Sequence, residues 1–259
     1  MLNFVKIFLA ITILFSQKCH AKEILLRLTY SDHDASPWQI GDGEAIFNPP
    51  GLSVDIIKKA AKNLGYKVIL SRVPTNRVLN NLKLGITDGA FIYSYVEDRA
   101  ESAAYPMKGD KLDHERRIAT LSYYFYKNKN SPAIWNGKTI LNNNTDIGVA
   151  RGYAGLDLLH KMNLAYEESK GIETLVRKVQ SERLSICLGQ SMIVEHFIKK
   201  LKADNLIKLE PAVAAKDYFL LFSHQFVKKN KDIAEKFWTQ IGKIRDTETE
   251  KLLKYYEKF

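Results

Sequence analysis

Ile24-Leu25-Leu26-Arg27-Leu28-Thr29-Tyr30, Val68-Ile69-Leu70 and Asp88-Gly89-Ala90-Phe91-Ile92 are three short apolar runs, and what lies between them decides the fold. After the first run, Ser31 to Pro50 is rich in Asp, Gly and Pro and reads as a loop. Leu52 to Leu64 then places Val54, Ile57, Ala61 and Leu64 at helical spacing, with Ser53 as a cap and Gly65 as the stop. Between the second and third runs, Thr75 or Asn76 caps a short helix carrying Val78, Leu79 and Leu82, and Gly85 ends it. Strand, helix, strand, helix, strand predicts an α/β unit built on a parallel sheet with helices on its faces.

Past this unit the pattern changes. Lys108 to Arg117 is charged and irregular, and Ile118 to Tyr126 reads as a long strand. A second alternating series follows: Thr145 to Ala150 as strand, Gly155 to Met162 and Ile172 to Gln180 as helices, Leu184 to Leu188 as strand, Met192 to Leu201 as helix. Tyr218 to Ser223 is expected to be a last strand, followed by helices at Asp232 to Arg245 and Thr247 to Phe259. The sequence therefore predicts two α/β units of similar size and a C-terminal piece that belongs to neither.

Residues 1–21 have the order of a secretory signal. There is no acid, Lys6 supplies a positive charge, Ile7 to Phe15 is apolar but for Thr12, and a polar break leads to Cys19-His20-Ala21. The apolar core is too short for a permanent membrane anchor. Gln17-Lys18 before Cys19 argue against lipidation, so cleavage after Ala21 and a periplasmic location are expected. A buried N-terminal helix fits poorly, because Lys22-Glu23 and a strand follow at once. The formal charge of +10 falls to +8 when Lys6 and Lys18 leave. The remaining charges are scattered, with no basic stripe interleaved with aromatics, which argues against nucleic acid as a partner. Cys187, alone once Cys19 is removed, sits in an apolar strand and reads as core rather than nucleophile. The six histidines include no metal-spaced pair, and no Gly-x-Ser-x-Gly elbow occurs. No catalytic residue, metal or cofactor is expected.

Five short segments, in order, carry a resemblance. They are Pro37-Trp38 after the first strand, Gly51-Leu52-Ser53-Val54-Asp55 at a helix start, and Leu82 to Ala90 with its leucine, glycine and aspartate pattern. Glu97-Asp98-Arg99 followed by Tyr105-Pro106, and Ile147 to Gly152, complete the set. Together they resemble the bacterial extracellular solute-binding proteins that include the polar amino-acid receptors of ABC importers. The resemblance implies the two-lobed periplasmic binding protein fold, each lobe a sheet flanked by helices, joined by a two-strand hinge. Residues 22–120 would begin lobe one, 121–216 would form lobe two, and 217–259 would return to lobe one. It also implies a monomer that closes on a small-molecule solute by hinge motion and passes it to an inner-membrane ABC permease.

The same resemblance points to site residues. Arg99 falls where the family holds the ligand's carboxylate, a role suited to a permanently charged planar fork; the alternative is a surface salt bridge with Glu97 or Glu101. Ser94 falls where a hydroxyl is offered to the same carboxylate, or it caps the strand. Trp38 stacks on the solute or plugs the core, and Tyr93 lines the cleft with similar standing. Asp32, with Asp34 in the same loop, receives a cationic group or simply makes an Asp-rich turn. Arg77 is a second anion hold or an exposed helix arginine. Arg151, Gly152 and Tyr153 join a strand to a helix N-terminus, where free backbone N–H groups favour anions.

Two departures matter. Gln190 stands near the position where amino-acid receptors of the family place an aspartate for the ligand's ammonium, and a neutral amide compensates a desolvated ammonium poorly. Ala35 and Thr75 fall near positions that in the family carry stacking aromatics. A carboxylate-bearing solute without a well-held amino group fits these departures better than an ordinary amino acid. Relatives of these receptors include periplasmic dehydratases and free-standing signalling receptors, so an enzyme or a sensor on the same fold is the alternative. No fused catalytic domain is expected in the sequence through Phe259.

Overall fold

The computed structural model describes residues 24–142, 146–256 and 258. The expected signal segment, its cleavage point and Thr145 lie outside the described residues. The first half contains β1 (Leu25–Ser31), α1 (Leu52–Leu64), β2 (Lys67–Val73), α2 (Thr75–Lys83), β3 (Gly89–Ser94) and α3 (Glu97–Ser102). A long strand β4 (Ala119–Asn128) leads to the second half: β5 (Ile147–Ala150), α4 (Gly155–Lys161), β6 (Glu167–Ser169), α5 (Ile172–Gln180), β7 (Ile186–Gln190) and α6 (Ser191–Leu201). A second long strand, β8 (Leu206–Phe222), returns, and α7 (His224–Tyr256) packs against α1. Two small hairpins lie outside the main sheet, one within the charged 108–117 stretch.

Hydrogen bonding joins the strands in the order β6-β5-β7-β4-β8-β3-β1-β2. β1 pairs in parallel with β2 and β3, and β5 pairs in parallel with β6 and β7. These are the two α/β units that the alternating pattern predicts. What joins them is antiparallel. β8 pairs with β4 from Leu206 to Tyr218 and with β3 from Tyr218 to Phe222, so one strand serves both halves. β4 in turn pairs with β7. The expectation of one sheet per lobe is thus refined: the two crossing strands join both halves into one eight-stranded sheet, with a register irregularity between Leu209 and Ala214.

Two element boundaries differ from expectation. β8 starts at Leu206, well before Tyr218, because Lys208, Glu210, Pro211, Lys216 and Asp217 hide any apolar alternation in a stretch that is only partly buried. The expected break at Asp246 is absent, and α7 is non-helical only at Asn230. Thr247, expected to start a separate helix, donates its hydroxyl to the Lys243 carbonyl one turn back and stays inside the helix. Likewise Ser53 does not cap α1; its hydroxyl donates to the Trp38 carbonyl at 2.6 Å and fastens the following helix to the loop after β1. Gly65 does end α1, in the left-handed conformation with φ 70°.

The core of the first half forms where α7 meets the sheet. Leu26, Leu28 and Tyr30 point to one face of β1 and are buried with Ile56, Ile57 and Ala60 of α1. Phe222, fully buried, stacks on Phe226 and meets Phe237 and Trp238 edge-on, while the Trp238 indole donates to the Leu220 carbonyl at 2.7 Å. Phe222→Ala removes this anchor between β8 and α7. It is expected to cost about 3–5 kcal/mol, read by denaturant unfolding; a loss under about 1 kcal/mol would show that α7 is held elsewhere.

Candidate functional site

The two halves meet over a small, half-open cavity of about 60 Å³. Its walls come from chain segments far apart in sequence: the end of β1 and the loop after it, the start of α2, β3, α3, the turn between β5 and α4, the end of β7, and β8. Of the residues expected to form a site, Trp38, Tyr93, Arg99, Gly152, Tyr153 and Gln190 line this cavity together. Ala35 and Thr75 line it as well.

Arg99 is half-buried on α3. One guanidinium nitrogen donates to the Ser94 carbonyl (3.2 Å) and hydroxyl (3.1 Å), and another reaches the Gly152 carbonyl in the opposite half (3.4 Å). Its carbon lies 5.5 Å from the centre of the Tyr93 ring. Among the described residues no carboxylate pairs with it, so the salt bridge with Glu97 or Glu101 does not form. Ser94 is therefore a support for Arg99, buried beside it, rather than part of the wall.

Gln190 sits at the crossing. Its amide nitrogen donates to the Tyr123 hydroxyl at 3.0 Å and to the Tyr218 hydroxyl, and the two hydroxyls are 2.5 Å apart. Tyr123 belongs to β4 and Tyr218 to β8, so the end of β7 is tied to both crossing strands. Burial, first of all, raises the pKa of both tyrosines; Arg99 acts in the opposite direction. Both stay neutral at physiological pH. Burial likewise raises Tyr93 and Tyr153 well above the ordinary tyrosine range.

Backbone irregularity shapes two walls. Ile92 has φ 66°, rare for a β-branched residue. It is the unpaired residue of a bulge, since Tyr93 faces Phe219 and Phe91 faces Leu220. The bulge breaks the strict alternation of β3, and both Ile92 and Tyr93 line the cavity. Gly152 has φ 78°, and a Cβ there would lie 2.7 Å from the Thr75 methyl of the other half. Only glycine lets the two halves approach at this point.

Besides Ser94, three expected residues do not line the cavity: Arg77, Asp32 and Arg151. Arg151 points away from it, 65% exposed, and pairs with Glu168 at 2.8 Å on the neighbouring strand β6. Arg77 is exposed on α2. Asp32 lines an adjacent outer cavity of about 470 Å³ together with Asp34, Asp42 and Glu173, with His33 Nε2 3.9 Å from its Oδ1. The turn before α4 also spends its groups locally: Tyr153 N–H bonds to the Ala150 carbonyl and Leu156 N–H to Tyr153. Sequence reasoning missed Gln39, Ser31, Ile193 and Tyr218. Tyr218 gave no signal because it opens the visible apolar end of β8, and its partner Tyr123 lies 95 residues away.

Among the described residues no group of three or more His, Cys, Asp or Glu is placed to hold a metal ion, and no helix is long and apolar enough to cross a membrane. Cys187 is fully buried in β7, and burial pushes its thiol up to about 12. The thiolate a nucleophile needs is therefore scarce at neutral pH.

No family model and no curated protein sequence matches the chain. Solved structures do. The chain is similar to a histidine kinase sensor domain described as similar to periplasmic binding proteins, at TM-score 0.72 and 14% identity, over 91% of this chain and 96% of that one. It is similar to an ancestral arginine-binding protein bound to arginine, at TM-score 0.69 and 14% identity, over 90% of this chain and 97% of that one. It is also similar to an ancestral amino-acid-binding protein, a precursor of cyclohexadienyl dehydratase, at TM-score 0.68 and 15% identity, over 90% and 94%. At these identities the likeness is one of fold. The chain has the two-lobed fold of the periplasmic binding proteins.

Tyr218→Phe removes the hydroxyl shared by Tyr123 and Gln190. It is expected to lower stability by about 1–3 kcal/mol, the usual cost of leaving buried partners unsatisfied. A melting temperature equal to that of the unchanged protein would mean the three groups are not bonded in solution.

Proposed function

We propose that this protein is an exported, periplasmic receptor that captures a small carboxylate-bearing solute between its two lobes and delivers it to an ABC-type permease. The observation that carries this reading is Arg99: a half-buried guanidinium with hydroxyl and carbonyl partners but no carboxylate, on the wall of a cavity between the lobes. A charge so placed is compensated best by an anionic ligand offering two oxygens to the fork. Closure removes water from those contacts and strengthens them. Trp38, Tyr93, Tyr153 and Gln190 complete the wall, and Ser94 holds the guanidinium in place.

Supporting the reading, several proteins of this fold are amino-acid-binding proteins, one of them the substrate-binding protein of an amino-acid ABC transporter. The signal-like order of residues 1–21 supports export. A signalling receptor is the second reading, favoured by the likeness to a kinase sensor domain; solute capture would be the same, with a membrane sensor in place of the permease. An enzyme is the less favoured alternative. One likeness is to a dehydratase precursor, but the cavity lining carries no carboxylate or histidine for proton transfer.

The test is thermal unfolding of the processed protein against organic acids, sugar acids, amino acids and short peptides. A ligand at 100 times its Kd stabilises the native state by about 2.7 kcal/mol. One carboxylate class should raise the melting temperature, and Arg99→Ala should weaken that ligand by about 10- to 150-fold, as expected for a lost charge-assisted bond. A ligand bound equally well by Arg99→Ala would remove Arg99 from the site, and no shift across the panel would contradict the receptor reading.

A further inference from the structure

The cavity wall holds one full positive charge, on Arg99, and no negative one. Three buried polar atoms of its lining residues lack a hydrogen-bond partner: the Trp38 indole Nε1, the Gln39 amide Nε2 and the Tyr93 hydroxyl. The first two are donors only, and the third can donate. Gln190 adds no charge, and its amide nitrogen is committed to Tyr123 and Tyr218. An ammonium entering this space would be desolvated against neutral groups and a guanidinium, with no carboxylate to balance it. A neutral oxygen on the solute carries no such cost, and the unpaired donors belong to residues of the same wall. The nearest acidic cluster, around Asp32, belongs to the outer cavity, where His33 and Lys170 face it.

Resting on the receptor reading above, we propose that the solute is a small oxo or hydroxy monocarboxylic acid, and that α-amino acids of the same skeleton are discriminated against. Arg99 takes the carboxylate, and the unpaired donors of Trp38, Gln39 and Tyr93 take the 2-oxo or 2-hydroxy oxygen. The small cavity sets a low limit on skeleton length. Gln190, in place of an acid, is the residue that determines this specificity.

Matched triplets test it, because each differs in one group: pyruvate, L-lactate and L-alanine, and the corresponding oxo, hydroxy and amino acids of two to six carbons. Titration calorimetry of the processed protein at neutral pH should give at least tenfold tighter binding for an oxo or hydroxy acid than for its amino partner. Gln190→Glu, nearly isosteric and able to accept from both tyrosine hydroxyls, should shrink that ratio at least tenfold by restoring a negative charge. Amino acids bound more tightly than their oxo and hydroxy partners would overturn the proposal while leaving the receptor reading intact. Binding of no member would overturn the proposal, and the receptor reading falls with it only if the wider panel of sugar acids, organic acids and peptides also gives no thermal shift. A wild-type preference unchanged by Gln190→Glu would overturn the assignment of specificity to Gln190.

Discussion

The antiparallel pairing of β4 with β8 is the constraint on which the molecule depends. Each half is a parallel α/β unit that could close on itself, yet the chain crosses between them twice, and the two crossings hydrogen-bond to each other. That ladder fixes where the ends of β3 and β7 fall, and those ends carry Ser94 and Gln190. It also brings Tyr123 and Tyr218 side by side under the cavity floor. The site is a consequence of the crossing, because its walls are drawn from strand ends, the loops and helix starts that follow them, and the crossing strand β8 itself.

Charge placement gives that geometry its chemistry. Arg99 is steadied by Ser94 and by an aromatic face, and it touches the far half only through a backbone carbonyl. Elsewhere in this chain, cations near acids find them: Arg151 with Glu168, Lys216 with Asp157, Lys200 with Asp34 across the halves at 3.8 Å. Among the described residues Arg99, like the buried Arg72, donates only to carbonyl and hydroxyl oxygens, and Arg99 stands on the cavity wall. A positive charge held away from carboxylates is a stored preference for an external anion.

Much of the fold was legible because periodicity reports burial. The apolar spacing of α1, α5 and α6 follows from one buried face, and the continuous runs of β3 and β5 from burial on both faces. β8 was half hidden for the complementary reason: between Leu206 and Asp217 it is mostly partly exposed, so nothing in its pattern alternates. Of the expected residues that line the cavity, Trp38, Arg99 and Gly152 fall within the short motifs, while Tyr93, Tyr153 and Gln190 were read from their places at strand ends and turns. Arg77, Asp32 and Arg151 were placed there too, but direction off a strand or helix is not written in residue type. The bulge at Ile92, the Gln39 amide and the tyrosine pair under Gln190 depend on contacts between residues distant in sequence, and no local pattern signals them.

The central claim is that Arg99 holds a solute carboxylate between the two halves. A crystal structure of the protein with its bound solute tests this most directly. The account predicts a carboxylate with both oxygens about 3 Å from the Arg99 guanidinium nitrogens, enclosed by Trp38, Tyr93 and Gln190. A solute seated in the outer cavity against Asp32, with Arg99 still turned only to Ser94 and Gly152, would contradict it.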